Sequence, residues 1–443
     1  MIYLNRDTEL NIELLQKMIN HFYIDVEPKL TKYKKYYDGL QKILSKTYAD
    51  ESKPCNRTVV NYCKNIVDSY CGYLATPEHI SYRSDEDIEE IMQVLKYNDY
   101  QDEDSDFLLD ALIYGVANEL MYIDNESHTR FRLINPCNSF GIFDDSLTGD
   151  LLYFVRIYKE SEWDNTDTHR VDVYSDTTVR HYKMQGRSGY LRADAANPEE
   201  PHYFSQCPAN IFMLPDEKSI FDCIMSQQDS INELISAEID DFSAFCDAYL
   251  VLTGADVEPE DIGTMKENRV LVMPEGAVVN WLTKNANDAQ VENIIKRLHD
   301  SIYRVAQCPD FSSESFVGGV SSGIAIQYRL TGMETRAGKI EAKMKKALQR
   351  RIEIISGIAS LKLGEEVFRD IEISFKRNIP ADTVSTIQII NGLKGTVSDA
   401  TLLSLLDFVS DPNAEIERVQ EQKAKNMELY GFPKLDAEDE EEE

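Results

Sequence analysis

The run from Met333 to Ala359, METRAGKIEAKMKKALQRRIEIISGIA, places Met333, Ala337, Ile340, Met344, Leu348, Ile352, Ile355 and Ala359 at steps of three or four. That period predicts a helix with one apolar stripe and an otherwise charged surface. Extended from Ser321 to Leu363, it reaches on the order of 60 Å at 1.5 Å per residue, more than an ordinary globular core covers. The expectation is a strut whose stripe faces a partner in an assembly. Just before it, residues 308–323, CPDFSSESFVGGVSSG, carry the turn chemistry of a mobile tip. Before that tip, Val291, Ile294, Leu298, Ile302 and Val305 mark a second amphipathic helix over Asp288 to Ala306.

Further outward, a long helix is predicted from about Lys218 to Asp247, with Ile224, Ile231, Ile235, Ile239, Phe242 and Cys246 on one stripe. Between the two helices lie strand-like Tyr249–Thr253, polar Glu258–Gly263, Arg269–Met273 and Ala277–Leu282, a small αβ insert with Trp281 as its anchor. Helix out, insert and helix back describe a stalk with a tip, and the exposed segment around Pro259 to Lys266 is its far end. After the strut, Asp370–Phe375 reads as a strand. Residues 382–430 read as helices broken near Gly392–Gly395 and at Pro412, and Leu435–Glu443 is too acidic to order alone.

The N-terminal half divides into an α-rich layer and a β-rich stretch. Helices are expected over residues 7–47, which are rich in Lys and Tyr, and over Thr58–Leu74, with Pro54 and Asn56 as stop and cap. Two more are expected over Asp85–Lys96 and Asp102–Asn118, whose acidic first turns suit the helix dipole. From Leu120 to Leu214, β-branched and aromatic runs at Met121–Ile123, Phe131–Ile134, Gly141–Phe143, Leu151–Tyr158, Arg170–Tyr174 and Thr178–Lys183 predict a meandering antiparallel sheet. Asp144–Gly149 is a hairpin-type loop, and Tyr153, Phe154 and Trp163 are expected in the core or on the sheet face.

The 443 residues carry 78 acidic and 46 basic side chains, a net charge of −32. Such a surface opposes tight wrapping of nucleic acid, though it does not exclude work near DNA, since a channel through which DNA slides works better without gripping it. No apolar run reaches the roughly 18 residues of a membrane span, and Met1–Asp7 lacks a secretory pattern, so the chain is expected in the cytosol when made. Eight cysteines without a C-x-x-C pair read as free, mostly buried thiols. Phosphate-binding, nucleophile-elbow and zinc-helix motifs are missing, and Gly318–Gly323 lacks the Lys-[Ser/Thr] pair of a nucleotide cradle. The acidic pairs Asp144–Asp145 and Asp240–Asp241 read as solvated rather than metal-holding. The basic set Lys339, Lys343, Lys345, Lys346, Arg350 and Arg351 spans several helix faces, and pairing with a neighbouring subunit is at least as good a reading as contact with phosphates. No catalytic, cofactor or metal residue is assigned.

The run Lys53–Asp68, KPCNRTVVNYCKNIVD, followed by Gly72–Leu74, resembles the N-terminal signature of portal proteins of long-tailed bacteriophages. Pro309–Asp310 and Ser321–Leu330, leading into the long basic helix, resemble the same family. The resemblance follows the segment order over nearly the whole chain. It implies an α+β, mainly α portal fold: residues 1–216 the wing, 217–247 and 286–307 the stem helices, 248–285 the clip, 308–322 the tunnel loop, 323–376 the long wing helix and return strand, 377–432 the crown and 433–443 an acidic tail. It also implies a ring, dodecameric in the virion, present in the host cytoplasm before assembly. Its partners would be the terminase large subunit, head-tail adaptors, major capsid and scaffolding proteins, and double-stranded DNA passing weakly and without sequence specificity. Phe311, Phe316, Val317, Gly318 and Gly319 would form the tunnel-loop site, and Glu258, Glu260, Asp261 and Lys266 the clip contact. The tunnel loop carries no Lys or Arg, which departs from a gripping loop. Two other readings stand beside this one: a helical scaffold or adaptor without a channel, and a metal-dependent nuclease with three or more converging carboxylates.

Overall fold

The computed structural model describes residues 2–50, 53–76, 79–161, 163, 167–245, 249–253, 278–282, 288–313, 323–358, 369–378, 383–406, 409 and 412–429. Its elements begin with β1 (Ile2–Leu4), α1 (Ile12–His21), a π turn (Phe22–Val26), α2 (Glu27–Tyr37), a 3-10 turn (Lys42–Ser45), α3 (Tyr62–Leu74), β2 (Ile80–Arg83), α4 (Glu89–Tyr97) and α5 (Tyr100–Tyr114). Strands follow: β3 (Val116–Ile123), β4 (Thr129–Ile134), β5 (Ser139–Asp144), β6 (Leu151–Lys159), β7 (Thr168–Tyr174), β8 (Thr178–Gln185), β9 (Arg192–Ala193), β10 (Glu199–Pro201) and β11 (Ala209–Met213). The rest are α6 (Met225–Phe245), β12 (Tyr249–Thr253), β13 (Val278–Leu282), α7 (Asp288–Ala306), α8 (Gly323–Ser356), β14 (Glu372–Phe375), α9 (Thr383–Leu393), α10 (Asp399–Leu403) and α11 (Pro412–Leu429). The class is α+β. Two compact units divide the chain, residues 1–310 with 332–378 and residues 311–331 with 379–443.

The helical reading of residues 7–47 resolves into one continuous run, α1 through the π turn to α2, and a separate 3-10 turn. The Asn11 carboxamide caps α1 by accepting the Leu14 N–H at 2.9 Å, and the helical path continues through the π turn into α2, whose first turn holds Pro28. The helix expected from Thr58 starts at Tyr62 instead, capped by Asn61 rather than Asn56. Residues before it are extended because their N–H groups are used elsewhere, as described below. The helix expected to reach Asn118 stops at Tyr114. Gly115 turns left-handed at φ +84°, and a Cβ there would lie 2.6 Å from the Lys218 backbone, so only glycine ends α5 and lets β3 begin.

The predicted single meander is two sheets. β5, β6, β7 and β8 run antiparallel in sequence order as expected, but β3 and β4 form a separate sheet with β11. A Cβ on Gly141 in β5 would collide with the Ile211 side chain of β11, so glycine there leaves the space that Ile211 fills between the two sheets. Strands β1, β2, β9, β10 and β11 lie outside the predicted runs: β1 pairs in parallel with β5, Ile2 opposite Ile142, β2 pairs with β14, Tyr82 opposite Ile373, β9 and β10 pair with β8, and β11 pairs with β3. Three-residue β1 is too short to show a period. Phe154 is fully buried, whereas Trp163 is 94% exposed, contrary to expectation, because it lies past the end of β6 where no sheet face covers it.

The described part of α8 spans 34 residues, about 50 Å at the helical rise. Its stripe from Met333 to Ile355 is no more than 2% exposed at Met333, Ala337, Ile340, Met344, Leu348, Ile352 and Ile355. This corrects the expectation of a stripe left for a partner: the first unit covers it. Each of the larger side chains contributes roughly 1.5–3 kcal/mol by burial, so α8 organises the core of that unit.

Candidate functional site

The opposite kind of stripe runs along α6. Gln228, Asn232, Ser236 and Asp240 are spaced one helical turn apart and are at most 7% exposed. Each accepts a backbone N–H from the extended segment ahead of α3: Tyr62 to Gln228 Oε1 at 3.0 Å, Val60 to Asn232 Oδ1 at 2.9 Å, Thr58 to Ser236 Oγ at 3.0 Å and Asn56 to Asp240 Oδ1 at 2.5 Å. The match is geometric. Four helical residues rise about 6 Å and two extended residues about 6.6 Å, so alternate N–H groups meet successive turns. The segment is a strap laid antiparallel on the helix, and it satisfies donors that a buried extended chain would otherwise waste.

The strap's ends are fastened by further polar groups. Asn232 Nδ2 donates to Gln41 Oε1 at 2.5 Å, and Gln41 Nε2 donates to the Tyr36 carbonyl at 3.1 Å and to Asn61 Oδ1 at 3.0 Å. At the other end, Lys46 Nζ and the Tyr48 hydroxyl reach Asp240 Oδ2 at 3.2 and 3.1 Å. Burial pushes the Asp240 carboxyl up, but the Asn56 amides, Lys46 and Tyr48 outweigh it and hold it below the usual range. Asp240 is therefore a buried structural anion, not the solvated carboxylate expected, because the strap's N–H, Lys46 and Tyr48 take the place of water.

A second buried polar centre ties α8 to the N-terminal layer. Arg351, fully buried, forms ion pairs with Asp104 on α5 and with Glu119 on β3, the latter at 2.8 Å. The Tyr82 hydroxyl donates to Asp104 at 2.7 Å and Asn210 Nδ2 to Glu119 at 3.1 Å, while the guanidinium lies over Phe131 at 4.6 Å. Burial disfavours the charged guanidinium, yet Asp104 and Glu119 raise its pKa well above the ordinary value. Arg351 thus belongs to this chain's own core, not to a neighbouring subunit or to phosphates. Arg350 and Lys345 are likewise paired in cis, with Glu353 at 2.9 Å and Glu341 at 2.8 Å.

The apolar faces of α6 and α7 are partly open. Phe242 is 72% exposed, Val305 42%, Ile294 39% and Ile239 36%, whereas Ile224, Ile231 and Ile302 are buried. Phe311 is 42% exposed just after Asp310. Phe316, Val317, Gly318 and Gly319, and Glu258, Glu260, Asp261 and Lys266, lie outside the described residues. So do Arg269–Met273, Cys246 and the acidic tail. Trp281 sits on β13, its Cα opposite Leu250 of β12.

The chemistry of the described residues is structural. Asp144 is held by Arg6 at 3.2 Å and by the Ser146 hydroxyl, chiefly the latter lowering its pKa. Among the described residues no three His, Cys, Asp or Glu side chains converge as a metal site. Burial pushes the thiols of Cys207 and Cys308 up to about 12, which makes them poor nucleophiles. Cys63 is buried and Cys71 half-buried as expected, but Cys223 is exposed. No helix among the described residues is long and apolar enough to cross a membrane.

Sequence comparison places these features in a family. Residues 17–429 match the family described as phage portal protein, SPP1 Gp6-like. The portal protein of Bacillus phage SPP1 is 24% identical over 96% of this chain and 86% of its own length. A chain from the neck of an empty GTA particle aligns at 12% identity over 84% of this chain and 89% of its own, with a TM-score of 0.45. The family is structural rather than enzymatic, and a portal is a component of the virion. The chain belongs to the SPP1 Gp6-like family of phage portal proteins.

Proposed function

We propose that this portal protein assembles into a closed ring at one capsid vertex, a channel through which double-stranded DNA is packaged by a separate motor and later ejected. The family match over residues 17–429 carries the reading. The exposed apolar residues Ile239 and Phe242 on α6 and Ile294 and Val305 on α7 support it, because a heterologous contact between identical copies buries such residues and gives a ring when its rotation closes. Light scattering and negative-stain images of the purified protein are expected to give rings larger than a tetramer. Monomer at every concentration, or an extended dimer, would defeat the proposal.

Within this reading, residues 1–216 form the wing, 217–247 and 286–307 the stem, 248–285 the clip, 308–322 the tunnel loop, 323–376 the long wing helix with its return strand and 377–432 the crown. The clip docks the terminase large subunit and then head-tail adaptors through Glu258, Glu260, Asp261 and Lys266. The tunnel loop, with Gly318 and Gly319, serves DNA translocation rather than assembly, Phe311, Phe316 and Val317 coordinate it with the neighbouring subunit's loop, and the −32 charge keeps contact with DNA weak. Major capsid and scaffolding proteins surround the ring, which exists in the host cytoplasm until it is built in. Charge reversal at Glu258, Glu260 and Asp261 is expected to leave rings intact and weaken motor docking.

A further inference from the structure

A basic surface stands out on this acidic chain. Lys29, Lys32, Lys34, Lys35, Lys42 and Lys46 fall within eighteen consecutive residues of the sequence. Lys34 and Lys46 are paired with Asp38 and Asp240. Lys32, Lys35 and Lys42 are exposed and have no carboxylate within salt-bridge distance among the described residues. Together with Arg187 they line a cleft of about 790 Å³ beside α2, which continues past Lys42, Ser45 and Asp229 into a second hollow of about 530 Å³.

The cleft has an apolar element as well. Leu40, placed by the left-handed turn at Gly39, lines it and is 58% exposed. Its own carboxylates are already engaged: Glu27 accepts from Thr31 at 2.9 Å and faces Arg187 at 3.4 Å, and Asp229 accepts from the Tyr36 hydroxyl at 2.8 Å. The lysine ammonium groups are thus the groups left to bind, with one leucine among them.

We propose that this cleft is a docking groove for an extended acidic peptide of a partner protein, with Lys32, Lys35 and Lys42 pairing its carboxylates and Leu40 receiving an apolar side chain. Charge complementarity selects this class of partner. The alternative, duplex DNA, is a rigid polyanion that meets the field of the whole surface, and a chain of −32 repels it. A short peptide inside the groove is screened from distant acids within about 8–10 Å and senses the local lysines. DNA also offers nothing to Leu40.

The test is fluorescence anisotropy of the full chain with a short labelled peptide of alternating Glu and Leu. Expected is saturable binding that weakens as salt rises, and weakens about tenfold or more in the variant Lys32→Glu, Lys35→Glu, Lys42→Glu. Leu40→Ser should loosen binding severalfold while leaving its salt dependence as it was. These positions are exposed, so unchanged thermal melting serves as the control for folding. The proposal is overturned by lack of peptide binding, by binding indifferent to the lysine reversals, or by a duplex oligonucleotide that displaces the peptide and binds more tightly.

Discussion

Helices α6 and α8 hold the first unit together by opposite means. α8 buries an apolar stripe and carries a single buried cation, Arg351; α6 buries an amide, hydroxyl and carboxylate stripe that grips backbone N–H groups. Apolar burial is tolerant of direction, since any apolar neighbour of the right volume fills the space. A polar stripe is not tolerant. Each rung on α6 is satisfied only with the strap in one register, because a shift by one residue turns every N–H away from its acceptor. α8 thereby supplies most of the driving force and α6 fixes the position of a helix whose far half is left open.

Removing Arg351 should have the largest effect. Arg351→Ala leaves Asp104 and Glu119 buried without a counter-charge, at an expected cost of about 3–5 kcal/mol in chemical denaturation. Replacing all three residues by apolar ones of similar volume should restore most of that loss. A single variant as stable as the parent would mean that the cluster is hydrated rather than sealed in the core.

Asn232→Ala comes next, at about 2–3 kcal/mol, since it strands the Val60 N–H, the Gln41 side-chain Oε1 and one Gln228 donor. Met344→Ala on α8 should cost about as much by leaving a cavity. The comparison is sharpened by the response to repair: Met344→Leu should be nearly neutral, whereas Asn232→Leu should be no better than alanine. If leucine at 232 is tolerated, the strap is held by packing and not by its rungs.

These two helices also differ in what could be read beforehand. The stripe of α8 is legible because apolar residues at steps of three and four have one common meaning. Gln228, Asn232, Ser236 and Asp240 recur with the same period, yet polar residues at that spacing ordinarily face water, and their partners are backbone groups that leave no mark on the sequence. Arg351 looked like one of a basic cluster because its partners are 247 and 232 residues away. The strap itself falls inside Lys53–Asp68, the segment that carries the resemblance to portals, and from Thr58 it reads as helix because Val59, Val60 and Cys63 fit that period too. Family and class were legible; the register that positions α6 was not.

A smaller effect, opposite in sign, comes from α5, which carries a paired and an unpaired carboxyl. Asp104 has Arg351; Asp110 has neither hydrogen bond nor ion pair among the described residues, and burial, aided by Asp106 and opposed by Lys34, pushes its pKa up to about 7. That value lies above the unfolded one near 4, so the folded state binds the extra proton between them. Stability is therefore lost as pH rises from about 4 to about 7 and is level above that. Asp110→Asn should stabilise the protein by about 1–2 kcal/mol at pH 8, and the gain should shrink toward pH 4. A gain that is the same at both pH values would place its origin in packing.

The smallest expected change decides whether the rungs of α6 act singly or together. Ser236→Ala removes the acceptor for the Thr58 N–H but improves helix propensity slightly, for a net cost of about 0.5–1 kcal/mol. In the parent, amide hydrogen exchange should be slow at Asn56, Thr58, Val60 and Tyr62 and faster at Arg57 and Val59, whose N–H groups point away from the acceptors. If the rungs are independent, the variant speeds exchange at Thr58 alone. The strap is closed at one end by Asp240 with Lys46 and Tyr48 and at the other by Gln228 and Asn61, so a missing central rung leaves both ends fastened. Exchange should then rise at Thr58 and remain slow at Asn56, Val60 and Tyr62. A rise at all four would show that the strap opens as one unit, and that the polar stripe on α6 stands or falls with each of its members in a way that the apolar stripe on α8 does not.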